Sequence, residues 1–255
     1  MVNNILITGS NSYLGKEVVK KISTNKYFAL DTRKINDLHI TPLKNFKDIK
    51  ENKIDTLYHF ANFLSKGDGS YSFNDENLFL NEVIKNGIKN ILYSGTYWSE
   101  MDEYKDLDYV KHKNLITEKL INSNNEKGIK VCLMILGDIY GPADTRAKLI
   151  PYLLSEEMKK EVHFKNNKES EICLTHVDDV VNFIYNEAFN NNFQKAEIIG
   201  EKKMLYEVVE IFKQVRNRNF KTTFADVEVK PINYKSTSSI AFHQKINIEK
   251  GFKNL

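Results

Sequence analysis

From Asn4 to Leu136 the chain alternates short apolar runs with longer stretches whose apolar residues recur at helical spacing, and this alternation constrains its fold more than any other feature. Neighbouring parallel strands need long crossover connections, and helices supply them. The pattern therefore specifies an α/β fold with a doubly wound parallel sheet. The expected strands are "NILIT", "YFALD", "DTLYHFA", "KNILYSG" and "KVCLMIL". The expected helices between them are Leu14–Ser23, Asn45–Glu51, Asn74–Lys85 and Tyr109–Asn125. The stretch from Asp31 to Asp55 is short for a full strand and helix, so the region near "HITPL" is expected to be an abbreviated edge.

Gly141 and Pro142 mark a break. Beyond it, "AKLIPYLLSEEMKK", "VDDVVNFIYNEAF" and "LYEVVEIFKQV" read as helices, and "EICLT" and "AEIIG" as strands. With 255 residues and 29.7 kDa the chain can bury a full core as one large unit or as two. The expected division is a parallel-sheet domain over residues 1–142 and a small interleaved C-terminal lobe over 143–255, with some segments of the lobe returning to the first domain.

Lys and Arg number 37 against 34 Asp and Glu, a net charge of +3 spread along the chain without a basic block. No nucleic-acid partner is expected. The first strand starts within a few residues of Met1 and no long apolar run follows, so neither a signal peptide nor a membrane span is expected. A cytoplasmic protein follows from that reading. Cys132 and Cys173 lie inside apolar runs, as buried thiols do, and the histidines lack ligand spacing, so no metal site is expected.

An open parallel sheet binds its ligand at the carboxyl ends of its strands. After the first strand comes "GSNSYLG", Gly9 to Gly15, a glycine-bounded turn leading into a helix. In the usual dinucleotide fingerprint Ser12 would be glycine; here it either crowds the cofactor or contacts phosphate through its hydroxyl. Thr96 follows the fourth of the long strands. Tyr109 and Lys113, in "YVKHK", form the chain's Tyr-x-x-x-Lys match. Their spacing sets phenol and ammonium on one helix face. A tyrosine ordinarily titrates near about 10, and an adjacent ammonium favours the phenolate. That arrangement suits proton exchange with a carbinol or carbonyl during hydride transfer. Neither a nucleophile elbow nor clustered metal ligands is present.

The set "ILITGSNSYLG", "DTLYHFAN", "NILYSGT", "YVKHK", "LGDIYGPADTR", "THVDDVV" and "INIEKGFKNL" resembles the extended short-chain dehydrogenase/reductases of the NAD-dependent epimerase/dehydratase type. Within them the chain looks most similar to small nucleotide-sugar 4-ketoreductases such as abequose and paratose synthases. The resemblance implies a Rossmann-type NAD(P)-binding domain over residues 1–142, a lobe over 143–255 that binds mainly substrate, NAD or NADP as cofactor and a nucleotide sugar as substrate. It implies Thr96 as the hydroxyl that orients substrate, Tyr109 as general acid/base, and Lys113 as the residue that tunes Tyr109 and holds the nicotinamide ribose. Gly9, Asn11, Ser12, Tyr13 and Leu14 would line the pyrophosphate turn, and Ala61 and Tyr140 would lie beside the cofactor. Asp31 would take the adenosine ribose hydroxyls, whereas Arg33 would meet a 2'-phosphate, which leaves NAD against NADP open.

Two arginines usual in such enzymes are replaced by Ile135 and Ile172; Arg146 and Lys148 are the expected substitutes at the substrate diphosphate. Tyr97 and Trp98 stand where dehydratases carry acids, which argues against dehydration. His59 and His176 read as structural, and Asp178 and Asp179 as acids at a helix start. The implied activity is reduction of a 4-keto nucleotide sugar for surface polysaccharide. The alternatives are a 4-epimerase with tightly bound NAD and a non-catalytic NAD(P)-sensing regulator. The Tyr109–Asn125 helix is of the kind that carries a homodimer in this family.

Overall fold

A computed structural model of the chain describes residues 3–30, 39–65, 68–156, 159–229, 232 and 242–255. Asp31 and Arg33 lie outside the described residues. In chain order the elements are β1 (Asn4–Thr8), α1 (Tyr13–Lys21), β2 (Lys26–Ala29), β3 (Ile40–Pro42), α2 (Lys47–Glu51), β4 (Thr56–His59), α3 (Phe73–Lys85), β5 (Asn90–Thr96), α4 (Asp108–Lys127) and β6 (Lys130–Leu136). There follow β7 (Asp138–Tyr140), α5 (Leu149–Glu156), β8 (Glu161–Phe164), β9 (Glu171–His176), α6 (Val177–Asn186), β10 (Phe193–Ile198), β11 (Glu201–Met204), α7 (Leu205–Arg216), β12 (Lys221–Phe224) and α8 (Ile248–Lys253). Two 3-10 turns, Tyr97–Glu100 and Asp102–Tyr104, join β5 to α4.

The chain forms two compact units. The first comprises the residues up to Ile135 together with Val181–Glu197. Its sheet has seven strands in the order β10-β6-β5-β4-β1-β2-β3. Pairings of β1 with β2 and β4, of β2 with β3, and of β4 with β5 are parallel. This is the Rossmann strand order, whose direction reverses between β1 and β4. Strands such as "NILIT" and "TLYH" are covered on both faces, which is why they read as continuous apolar runs. Leu6, Leu57, Leu80, Ile91, Ile116 and Leu133 pack in one core cluster. Each such side chain contributes about 1.5–3 kcal/mol when fully buried. β3 is the short edge foreseen at "HITPL", and Pro42 is tolerated there because an edge strand can leave a donor unmade.

The second unit comprises Leu136–Val180 with Phe242–Leu255 and the segment that begins at Ile198. In it β9 pairs with β11 antiparallel and with β7 parallel, and β8 pairs with β12. Helices α7 and α8 bring Val208, Phe212 and Phe252 into its core with Leu153, Val162 and Leu174. β7, β8, β11, β12 and α8 are additions to the elements read from the sequence. Asp179, on the first turn of α6, accepts from the Lys245 and Ile246 backbone N–H groups at 3.1 and 3.0 Å, and so ties down the segment leading to α8. Among the described residues no helix is long and apolar enough to cross a membrane.

Candidate functional site

At the carboxyl end of β1, Gly9 has φ +67°, a conformation that L side chains adopt only under strain. A Cβ at Gly9 would stand 2.8 Å from both Ala61 N and Phe60 C, so β4 runs directly against the turn. A Cβ at Gly15 would stand 2.3 Å from Gly9 O. The two glycines therefore close the turn on itself and start α1 at once. Ser12 is the N-cap of that helix: its Oγ accepts from Gly15 N at 3.1 Å, with φ −70° and ψ 161°. Its backbone needs no glycine, and its hydroxyl satisfies one of the otherwise orphan N–H groups of the first turn. The serine at the doubtful position is thus engaged by the helix.

Asn11 is exposed, whereas Tyr13 and Leu14 turn into the core. Ser10, which the sequence reading passed over, is buried, and its Oγ has no hydrogen-bond partner among the described residues. A left-handed glycine, a helix N-terminus with no acidic residue in its first turn and a buried spare hydroxyl converge here, and together they suit the phosphates of a dinucleotide.

The next layer lies along β4, β5, α3 and α4. Ala61 N donates to Thr8 Oγ1 at 3.3 Å, and Thr8 Oγ1 lies 2.6 Å from His59 Nδ1. His59 Nε2 is 3.0 Å from Glu76 Oε1, and His112 Nε2 is 2.9 Å from Glu76 Oε2, which also accepts from Phe63 N at 3.1 Å. Glu76 is wholly buried, as is His59. Burial opposes ionisation of this carboxyl, but the hydrogen bonds from His112 and His59 and the charges of His59 and Lys113 hold it well below the usual carboxylate range. His112 lies within "YVKHK" itself, and Tyr71 stacks on it with ring centres 5.3 Å apart.

Tyr109 and Lys113 stand one turn apart on α4, with the Lys113 Nζ 5.8 Å from the Tyr109 ring centre and 4.6 Å from that of Tyr93. Lys113 is buried and donates to Ser94 O at 2.8 Å, near the carboxyl end of β5. Burial brings its ammonium down to about 8, against the opposing pull of Glu76. Burial pushes the Tyr93 phenol up, as do the charges of Glu76 and Tyr109. Thr96 ends β5, and its Oγ1 accepts from Trp98 N at 3.4 Å as the cap of the following turn. Trp98 stacks on Tyr104 at 5.0 Å and meets Tyr109 edge-on at 6.3 Å, while Tyr71 lies 5.7 Å from Tyr109. Trp98 from the connection between β5 and α4, and Tyr71 from the segment before α3, thereby set aromatic rings against Tyr109.

The remaining expected residues lie in the second unit. The Tyr140 side chain is buried there against Phe252 and His176, and Gly251 passes so close that a Cβ would lie 2.1 Å from the Tyr140 hydroxyl. A ligand approaching this position would meet backbone, not phenol. Arg146 is held by Asp144, with Nε 2.8 Å from Oδ1 and Nη2 2.8 Å from Oδ2, and it donates to Ile139 O at 2.6 Å. It braces the turn after Tyr140. Lys148 Nζ lies 3.5 Å from Asp138 Oδ1. Asp138, Tyr140, Asp144 and Lys148 border a cavity of about 110 Å³ floored by Ile172 and Leu174. In the first unit the structure thus sets Gly9 against Ala61 beside the Ser12 cap, Tyr109 beside Lys113, and Thr96 at the end of β5; in the second it gathers Tyr140, Arg146 and Lys148 around one turn.

Sequence reading missed Glu76 as a member of the site. A signal was available: Phe73, Glu76, Leu80 and Val83 follow helical spacing, which puts one carboxylate on an otherwise apolar stripe.

The sheet order and the turn after β1 define a dinucleotide-binding α/β protein of the Rossmann type. The model of the NAD dependent epimerase/dehydratase family matches residues 5–197, and the chain belongs to that family. No curated protein matches the chain. Among solved structures, the UDP-N-acetylglucosamine 4-epimerase of Bacillus cereus is similar, with a TM-score of 0.79 at 16% identity, covering 98% of this chain and 97% of that one. A Tyr-to-Phe variant of the UDP-glucuronic acid 4-epimerase of Bacillus cereus, solved with a fluorinated UDP-sugar and NAD, has a TM-score of 0.78 at 12% identity, covering 98% and 97%. The UDP-glucose 4-epimerase of Thermotoga maritima has a TM-score of 0.76 at 18% identity, covering 98% and 96%.

Proposed function

We propose that this protein moves a hydride between a nicotinamide dinucleotide and a carbon of a nucleotide-activated sugar, and that it reduces a 4-keto sugar destined for cell-surface polysaccharide. The observation that carries the reading is the pairing of Tyr109 with a buried Lys113 anchored to Ser94 O at the end of β5. The bound nicotinamide supplies the hydride. Tyr109 gives its phenolic proton to the oxygen of the carbonyl, so that C=O becomes CH–OH, and Thr96 holds that oxygen in place. Lys113 keeps positive charge beside Tyr109, which lowers the cost of the phenolate left behind, and it holds the nicotinamide ribose.

In this reading Gly9, Asn11, Ser12, Tyr13 and Leu14 form the pyrophosphate turn, with Ser12 acting through the helix it caps. Ala61 flanks the cofactor, and Tyr140 does so through its backbone. Asp31 or Arg33 selects NAD or NADP. Arg146 and Lys148 face the substrate diphosphate, and the second unit binds mainly substrate. The reading includes a homodimer built on α4, which carries an exposed Leu115; sedimentation at twice the chain mass is the expected result.

A second reading is a 4-epimerase that keeps its cofactor through oxidation and re-reduction by the same Thr96, Tyr109 and Lys113. The names of the similar solved structures favour it. Cofactor turnover separates the two. Net consumption of NADH or NADPH with 4-keto-6-deoxy nucleotide sugars supports reduction, whereas interconversion of 4-hydroxyl epimers without consumption supports epimerisation.

A further inference from the structure

Glu76 belongs to no motif of the chain, yet it is a wholly buried carboxylate that sits behind the acid/base helix. Three donors fix it from three elements: His59 at the end of β4, His112 on α4, and Phe63 N in the segment leading to α3. These contacts occupy both oxygens and set the carboxylate in one orientation. The neighbouring residue on α4 is Lys113, whose ammonium is also buried and donates, among the described residues, to a neutral acceptor, Ser94 O. Ser94 in turn donates from its Oγ to His59 O at 3.4 Å, so both ends of the arrangement are tied to the same strand. A buried cation whose neighbours are a carbonyl and two aromatic rings carries no compensating charge from them, and it requires an anion within electrostatic reach.

Glu76 and Lys113 act on each other electrostatically. Among the described residues, the other ionisable groups facing the pair are His59 from β4, Tyr93 from β5, and Tyr109 and His112 from α4. Neither Tyr93 nor Tyr109 can supply the negative charge while it keeps its phenolic proton.

We propose that Glu76, clamped by His59 and His112, is the fixed counter-charge that keeps Lys113 protonated beside Tyr109, and that it is therefore a positioning residue of the acid/base site. The inference rests on the proposed roles of Tyr109 and Lys113. In physical terms, α3 lends the site a negative charge that cannot swing away, because each oxygen is already hydrogen-bonded. The same histidine that orients it shares a helical turn with both Tyr109 and Lys113.

The test reads Lys113 directly, in protein without cofactor or substrate. The carbon-13 signal of its side chain, assigned by its loss in Lys113→Met, is followed against pH in the native protein and in Glu76→Gln. The expected result is a midpoint at least about one pH unit lower in Glu76→Gln. Since a buried amide there cannot receive every donor, the reciprocal variant guards against misfolding. In Lys113→Met all three donors to Glu76 remain, and the carboxyl carbon of Glu76 should begin to titrate at higher pH than in the native protein. An unchanged Lys113 midpoint in folded Glu76→Gln, or an unmoved Glu76 carboxyl in Lys113→Met, overturns the proposal. If these shifts occur but Tyr109→Phe retains full activity on nucleotide sugars, the functional reading falls and the charge pairing stands.

Discussion

Replacing Gly9 with alanine separates two costs that the turn after β1 combines. The first is conformational: at φ +67° an L residue loses about 1–2 kcal/mol. The second is steric, since the new methyl would stand 2.8 Å from Ala61 N and from Phe60 C, backbone atoms just past β4 in a segment hydrogen-bonded to Thr8. Forcing a methyl into such a space costs about 1–3 kcal/mol more, which brings Gly9→Ala to roughly 2–5 kcal/mol. Gly128, the C-cap of α4, supplies the control. Its φ is +64°, and nothing lies within 4 Å of where its Cβ would be. Gly128→Ala should thus lose the conformational part alone, about 1–2 kcal/mol. Equilibrium urea unfolding of both variants, without cofactor, measures the difference. NAD titration of Gly9→Ala should in addition show weaker binding, because relief of the overlap displaces the turn from β4. Equal destabilisation by the two substitutions would refute the close approach of β4 to the turn, and with it the account of why this residue is glycine.

Three further outcomes are expected. Ser12→Ala should cost about 1 kcal/mol in urea unfolding and Ser12→Gly only a few tenths, because the hydroxyl caps α1; a large loss of NAD affinity in Ser12→Gly with unchanged stability would instead make the hydroxyl a phosphate ligand. Arg146→Ala should cost about 1–2 kcal/mol, since it removes the guanidinium donors to the buried Asp144 carboxylate and to Ile139 O and leaves Asp144 the backbone N–H of residue 146; an undiminished urea midpoint would remove its bracing role. Glu76 is held below its unfolded value, so its stabilisation is present above the ordinary glutamate range and lost as pH falls. The native protein should therefore lose urea stability more steeply below about pH 5 than Glu76→Gln, and parallel curves for the two proteins would contradict this.

What could be read from the sequence follows the physics of each element. The strands β1, β4, β5 and β6 were legible because burial on both faces demands runs such as "NILIT" and "KVCLMIL", which no solvated loop would carry. α4 was legible from its periodicity, although its true end is set by Gly128 in the left-handed conformation. By contrast "EVHF", "KTTF" and "EKKM" are short and mixed in polarity, and they become β8, β12 and β11 only through partners distant in the chain. The placement of Thr96 at the end of β5, and of Tyr109 and Lys113 one turn apart on α4, was legible from the apolar run and from the i to i+4 spacing. Glu76 was not, since its meaning depends on His59 and His112, residues from two other elements. Ser12 shows the reverse case: the sequence posed it as obstacle or phosphate ligand, and the helix it caps supplies a local reason for it.

The central claim, that Tyr109 is the proton donor of a nicotinamide-dependent reaction on a nucleotide sugar, is tested most directly at the nicotinamide absorbance. Native protein and Tyr109→Phe would each be mixed with NADH or NADPH and a panel of 4-keto-6-deoxy nucleotide sugars. The account predicts consumption of reduced nicotinamide by the native protein and a loss of about 100-fold or more in Tyr109→Phe, with the fold and cofactor binding retained. Equal rates for the two proteins would contradict it.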